Sequence, residues 1–279
     1  STTLDYPRQA STLEDVARHA SVFVTPDGNG AVLLIEDDKR AVRLRTLEAQ
    51  YYRALLINEW GSEHLRHNLG KYYSGASCRD ISLVMPFSRI QGHAALLAEQ
   101  CQLLASQPEA AIRVWSRDPV TGSVAAHGVP THAERSMALG EMILSIDRGL
   151  EDKLRILRAS CLPAETGGVL LGYYDFNVHM VVIVDALPAP ADSQSSGTSF
   201  ERGVEGTMES VLEARRRTAN VVGYVGEWHS HPPGHSAAPS RDDFYQLVYL
   251  AAGMAKEGLP AIQLIVGEHD LSVLAMQAP

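Results

Sequence analysis

The chain has 279 residues, 45% of them apolar, which is enough for one large domain or two ordinary ones, and two is the expected division. Its 33 acidic against 24 basic residues leave a formal charge of −9, so no broad cationic surface is expected to hold a nucleic-acid backbone. Cys78, Cys101 and Cys161 are odd in number, widely spaced and without a CxxC pair, which suits reduced thiols in a cytoplasmic protein. No apolar run reaches the roughly 20 residues of a membrane span, and STTLDYPRQASTLEDVARHA lacks the basic-then-apolar order of a signal peptide.

In chain order, SVFVTPDGNGAVLLIE (21–36) sets two apolar runs around Asp27-Gly28-Asn29-Gly30 and predicts a β-hairpin. Gly28 and Gly30 are turn chemistry there, since a dinucleotide fingerprint needs a third glycine opening a helix. RLRTLEAQYYRALLINEW (43–60) spaces Leu44, Leu47, Tyr51 and Leu55 helically and predicts a packed helix. Ser88 is the expected N-cap of a second helix running to about Ser106. AAIRVWSRDPVTGSVAAH then predicts two strands joined at Asp118-Pro119 and Thr121-Gly122. The texture changes near residue 135, which places a boundary between a region 1–134 and a region 135–279.

In the second region MILSID (142–147) reads as a strand, GLEDKLRILRASCL as a helix, and GGVLLGYY with HMVVIVDAL as a hairpin about Asp175-Phe176-Asn177. ADSQSSGTSFERGVEG (191–206) is too polar for a core and reads as a loop that either disorders or handles a ligand. EGTMESVLEARRRTA predicts a helix and VVGYVGEW a buried strand. A helix capped by Ser240 follows, and AIQLIVGE and LSVLAMQ close the chain as strands.

The chemistry concentrates in Glu227-Trp228-His229-Ser230-His231-Pro232 at the end of an apolar strand. Residues at i and i+2 of a strand project to one side, so His229 and His231 can reach one cation. Asp243 lies twelve residues after His231 in the first turn of the Ser240 helix. Two nitrogens and one carboxylate leave the fourth tetrahedral position of Zn²⁺ for water, as a catalytic site needs and a closed structural site does not. Zinc lowers the pKa of its water, but peptide hydrolysis also needs a group to take that proton and deliver it to the leaving amine. Glu165, heading ETGGVLLG, is the candidate, and Ser240 can hydrogen-bond the developing oxyanion. Glu227 belongs behind the ligands or at the rim, and Cys78 has no neighbour that would activate it as a nucleophile.

These residues resemble the E…H-S/T-H-P…S-x-x-D pattern of the JAMM (JAB/MPN/Mov34) metalloproteases over about residues 138–276. The resemblance implies an α/β fold of the JAB/MPN type, a cytidine-deaminase-like curved mixed sheet flanked by helices. It implies zinc held by His229, His231 and Asp243, with Glu165 as acid/base and Ser240 near the oxyanion. Eight residues separate His231 from Ser240 where many members have seven, so counting forward from the histidine selects Asp242 and counting back from the serine selects Asp243. The S-x-x-D step lies on a helix, where spacing is rigid, which favours Asp243. ETGGVLLG, GEWHSHP and FERG look most like bacterial members that travel with ubiquitin-like conjugation genes. That company implies an isopeptidase or processing peptidase acting after the C-terminus of a ubiquitin-like protein, with E1-like and E2-like conjugation enzymes as further partners; the alternative is a non-catalytic scaffold for the same proteins. Phe200 and Arg202 in the polar loop are then the expected grips on the substrate's tail. CRDISLVMPFSRIQGHAALLAEQC with AAIRVWSRDPVTGSV resembles the C-terminal part of ThiF/E1-like adenylation domains. With no phosphate-binding glycine loop, the α+β region 1–134 is expected to be an accessory or docking domain without adenylation activity.

Overall fold

The computed structural model describes residues 7–65, 71–73, 81–83 and 85–277, so Cys78 lies outside it. The chain divides into two compact units, one of the residues up to Ala133 with Arg217–Ala219, the other of Glu134–Arg216 and the residues from Asn220 on. Among the described residues no helix is long and apolar enough to cross a membrane.

In the first unit β1 (Ala20–Val24) and β2 (Gly30–Ile35) form the hairpin, antiparallel and turned by Gly28 at φ +71°. β3 (Lys71–Tyr73) pairs with β4 (Ile81–Leu83), while β5 (Ala111–Arg117) and β6 (Val124–Val129) extend the hairpin into a sheet of order β1-β2-β5-β6. α1 (Leu44–Ile57) and α2 (Phe87–Ala105) pack on this sheet, Leu97 of α2 meeting Ala31, Leu33 and Ile35. Ser88 is not the N-cap of α2. The helix starts at Phe87 behind Pro86, whose side chain offers no cap; a proline's fixed φ and missing N–H suit the position ahead of a first turn.

Glu36 at the end of β2 is fully buried and accepts from Arg40 Nε at 2.7 Å, His19 N at 2.9 Å and Leu44 N at 3.0 Å. Burial raises its pKa, but the Arg40 guanidinium and the two N–H groups outweigh burial and hold it below the usual 4.5. A folded pKa under the unfolded one gives stability that is present above about pH 4.5 and lost as pH falls through the folded value. Glu36→Ala should cost about 3–5 kcal/mol in urea unfolding at neutral pH, because Arg40 is left buried without its anion. Glu36→Gln should flatten the acid limb of the stability profile.

The second unit is built on a seven-stranded mixed sheet of order β15-β14-β13-β9-β10-β8-β7. Its strands are β7 (Glu134–Leu139), β8 (Met142–Asp147), β9 (Gly167–Asp175), β10 (Met180–Ala186), β13 (Gly223–Ser230), β14 (Ala261–Val266) and β15 (Leu271–Met276). β8 runs parallel to β10 and β13 to β14; the other neighbours are antiparallel. β11 (Gln194–Ser195) and β12 (Phe200–Glu201), two residues each, make a small hairpin out of the polar loop, and β7 forms the edge of the sheet order.

α3 (Arg148–Cys161) begins where Asp147 accepts from Leu150 N at 3.1 Å, and its Leu150 and Leu154 share a core with Val181, Ile183, Trp228 and Leu264. α5 (Arg241–Met254) sits on the opposite face, its Leu247, Ala251 and Met254 packing on Ala261. Strand alternation on β14 separates them: Ile262 and Leu264 turn to α3, Ala261 and Gln263 to α5. α4 (Thr207–Arg217) precedes β13. β13 is bulged between Tyr224 and Gly226, which puts Trp228 on the α3 face and Glu227 and His229 on the α5 face.

Candidate active site

The crossover from β13 through α5 to β14 makes the two strands parallel and brings the start of α5 back to the carboxyl end of β13, where side chains from both elements meet. His231 N donates to Val266 O at 2.9 Å as β13 leaves the sheet. Buried Arg158 of α3 grips the next turn, donating from Nε to His231 O at 2.9 Å and from Nη2 to Pro232 O at 3.1 Å. α5 opens with a capping box: Asp243 N donates to Ser240 Oγ at 3.2 Å and Ser240 N to Asp243 Oδ2 at 2.6 Å.

His229, His231 and Asp243 each present one ligand atom, and the three atoms lie within 4.8 Å of one another. His229 Nε2 is 2.9 Å from Asp243 Oδ1, and His231 Nε2 is 3.7 Å from Asp243 Oδ2. His229 Nε2 is nevertheless buried without an aligned hydrogen-bond partner, which leaves that atom open to another one. His231 Nδ1 sits 2.7 Å from Ser236 O, which can only accept, so the proton lies on Nδ1 and Nε2 is bare. A two-nitrogen, one-carboxylate set with both Nε2 atoms turned toward the same carboxylate fits a divalent cation and leaves a coordination position open. Asp242, its neighbour in sequence, is exposed at the mouth of the same cleft and outside the three-residue group.

The charges are arranged around this group. Burial works to raise the Asp243 pKa, but the two imidazoles and Ser240 N–H hold the carboxyl far below its ordinary value. The Asp243 carboxylate in turn raises His231, against burial. Glu165 is pushed up by burial, with His229 and His231 opposing.

Glu165 stands across a cleft of 390 Å³ lined also by Phe200, His229, His231, His235, Ser240 and Gln246. It directly precedes Thr166, whose exchange with Ser230 (Ser230 N to Thr166 O 2.7 Å, Thr166 N to Ser230 Oγ 3.1 Å) ties β9 to the end of β13. Glu165 N donates to Ser196 O at 2.8 Å, so the small hairpin is fastened beside it. Gly167 pairs with His229, and the Phe200 ring lies so near that a Cβ on Gly167 would come 2.6 Å from Phe200 Cε1. Ser240 Oγ accepts as the helix cap, which leaves its own hydrogen free to donate into the cleft. Arg202 points elsewhere: its Nη2 donates to Glu227 Oε1 at 2.8 Å, and it does not line the cleft.

Two residues of the site escaped the sequence reading. Gln246 Nε2 donates to Glu227 Oε2 at 3.4 Å, and Gln263 Nε2 donates to Gln246 Oε1 at 2.9 Å while lying 3.5 Å from His229 Nδ1. The available signal was Gln263 itself, the single polar residue of the fully buried strand AIQLIV.

Residues 147–275 match the family described as prokaryotic homologs of the JAB domain. A protein of Enterobacter hormaechei subsp. hoffmannii named CD-NTase/cGAS isopeptidase is 42% identical over 123 residues, 43% of this chain and 66% of that protein. A probable metalloprotease of Sinorhizobium fredii is 29% identical over 79 residues, 28% of this chain and 48% of its own length. The chain thus spans under two thirds of either relative. Over residues 147–275, the unit that carries the His229, His231 and Asp243 cluster belongs to the bacterial JAMM (JAB) family.

Proposed function

We propose that the chain is a zinc-dependent isopeptidase or processing peptidase that hydrolyses the amide bond after the C-terminus of a ubiquitin-like protein. The observation that carries this is the open cluster of His229, His231 and Asp243 facing Glu165 across one cleft. The names of the two relatives support the same reading. A bound zinc supplies a Lewis acid for the carbonyl and a lowered pKa for the attacking water. Glu165 takes the water's proton and returns it to the leaving amine, so one water is consumed and a carboxylate and an amine are released. Burial raises its pKa above the ordinary carboxylate value, which makes it the better proton acceptor. Ser240 donates its free hydroxyl hydrogen to the carbonyl oxygen as charge builds there.

Phe200 forms the cleft wall beside Gly167 and is the proposed contact for the substrate's tail; Arg202, engaged by Glu227, braces the hairpin from behind. The Enterobacter relative's name makes conjugates of a CD-NTase the substrate class to try first, with E1-like and E2-like enzymes as the partners that would make them. The first unit, residues 1–134 in outline, is the proposed docking module, in a cytoplasmic protein. Incubated with an isopeptide-linked conjugate of a ubiquitin-like protein, the chain should release the free C-terminus, lose that activity to a chelator and regain it with zinc. Undiminished cleavage by metal-free protein would overturn the proposal.

A further inference from the structure

A line of buried polar groups runs behind the cluster, on the α5 face of the sheet. Arg202 Nη2 and Gln246 Nε2 both donate to Glu227, which is 5% exposed. Gln246 Oε1 accepts from Gln263 Nε2, and that amide faces His229 Nδ1. Gln263 is fully buried, yet its Oε1 has no partner. A buried amide oxygen left unpaired is costly, so its presence beside a metal-ligand histidine calls for a cause.

The direction of the line follows from its end. An ionised carboxylate only accepts, so Glu227 takes the amide nitrogen of Gln246. The Gln246 oxygen then faces Gln263 and takes its nitrogen. Gln263 thus turns donors to His229 Nδ1, which suits a bare Nδ1 and puts the ring's proton on Nε2, the atom facing the cluster. A cation needs that Nε2 bare, which moves the proton to Nδ1, where it requires an acceptor. The amide already facing Nδ1 carries one, the orphaned Gln263 Oε1. To present it, Gln263 must turn its amide over, setting its oxygen against that of Gln246, and Gln246 can follow only by turning its own oxygen toward Glu227.

We infer that Gln263 is a positioning residue whose amide orientation decides which nitrogen of His229 is free for the metal, and that Glu227, through Gln246, biases it toward the unloaded arrangement. The inference rests on the metal-site reading above and adds to it a resistance to loading that is built into the sheet.

The test is zinc affinity of the full chain at neutral pH by competition with a chromophoric chelator, with circular dichroism as the check on folding. Gln263→Leu removes the acceptor and should weaken zinc by about 10–100-fold. Gln263→Glu supplies a stronger acceptor for the Nδ1 proton and should bind at least as tightly as wild type. Glu227→Gln can donate as well as accept, so the line can reverse, and zinc should bind several-fold more tightly. Wild-type affinity in folded Gln263→Leu, weakening in Gln263→Glu like that expected of leucine, or no tightening in Glu227→Gln would each overturn the inference while leaving the metal site standing. A wild-type chain that takes up no zinc would overturn both. Should Gln263→Leu fail to fold, the other two variants decide the matter.

Discussion

Glu165→Gln should lower kcat/KM for an isopeptide-linked substrate by about 10²–10⁴-fold, the usual contribution of a positioned acid/base, while zinc stays bound at one per chain. The substitution keeps the side chain's size and its place in the cleft wall but removes the atom that can take a proton. The expectation of retained metal comes from the geometry: Glu165 lines the cleft opposite the cluster, and the three atoms close enough to share an ion belong to His229, His231 and Asp243. Glu165 N is held by Ser196 O on the neighbouring hairpin, so the backbone should not follow the side-chain change. Metal content and cleavage measured on the same preparation separate the possibilities. Parallel loss of both would make Glu165 a ligand, and retained cleavage would remove it from the chemistry.

Asp243→Asn is expected to weaken zinc more than the 10–100-fold typical of groups that only support a ligand. Asp242→Asn should change it by no more than about 2-fold, since an exposed charge screened by water acts weakly on the cluster. Asparagine keeps an oxygen that can accept from Ser240 N, so the capping box is largely spared and the comparison reads coordination rather than folding. Alanine would confound the two by also costing the cap about 1 kcal/mol. Zinc titration of the two asparagine variants is the measurement, and equal losses at both positions would sink the assignment of Asp243.

Where the signal was local, the sequence was readable. The hairpin about Gly28, strand 142–147 and the helix opening at Ser240 each announce themselves within a few residues, because turn glycines, alternation and caps act over one turn of chain. The same holds for His229 and His231, whose shared side of β13 follows from a period of two. Choosing Asp243 over Asp242 needed only the rigidity of a helix, and the structure puts Asp243 against both imidazoles. What escaped depends on partners that no period or spacing marks. β11 and β12 are too short to show any period and exist because Gln194–Ser195 meets Phe200–Glu201. Ser88 lost the cap because Pro86 set the chain's entry. The sequence offers Arg202 as a contact for a substrate's tail, and the fold adds its bond to Glu227, 25 residues on. Gln246 and Gln263 sit on different elements, so no spacing rule connects them.

The capping box at the start of α5 also bears on which cations this centre can choose between. Asp243 Oδ2 is committed to Ser240 N at 2.6 Å, which turns Oδ1 toward His229 and holds the carboxylate from swinging to offer both oxygens. Calcium wants six to eight oxygens, and a centre that offers one carboxylate oxygen and two imidazoles falls short of them. Ions content with few, softer donors face no such shortage. In the proposed metal site, the residue pair that begins a helix would therefore double as a filter on coordination number, set by the backbone rather than by the size of the cavity.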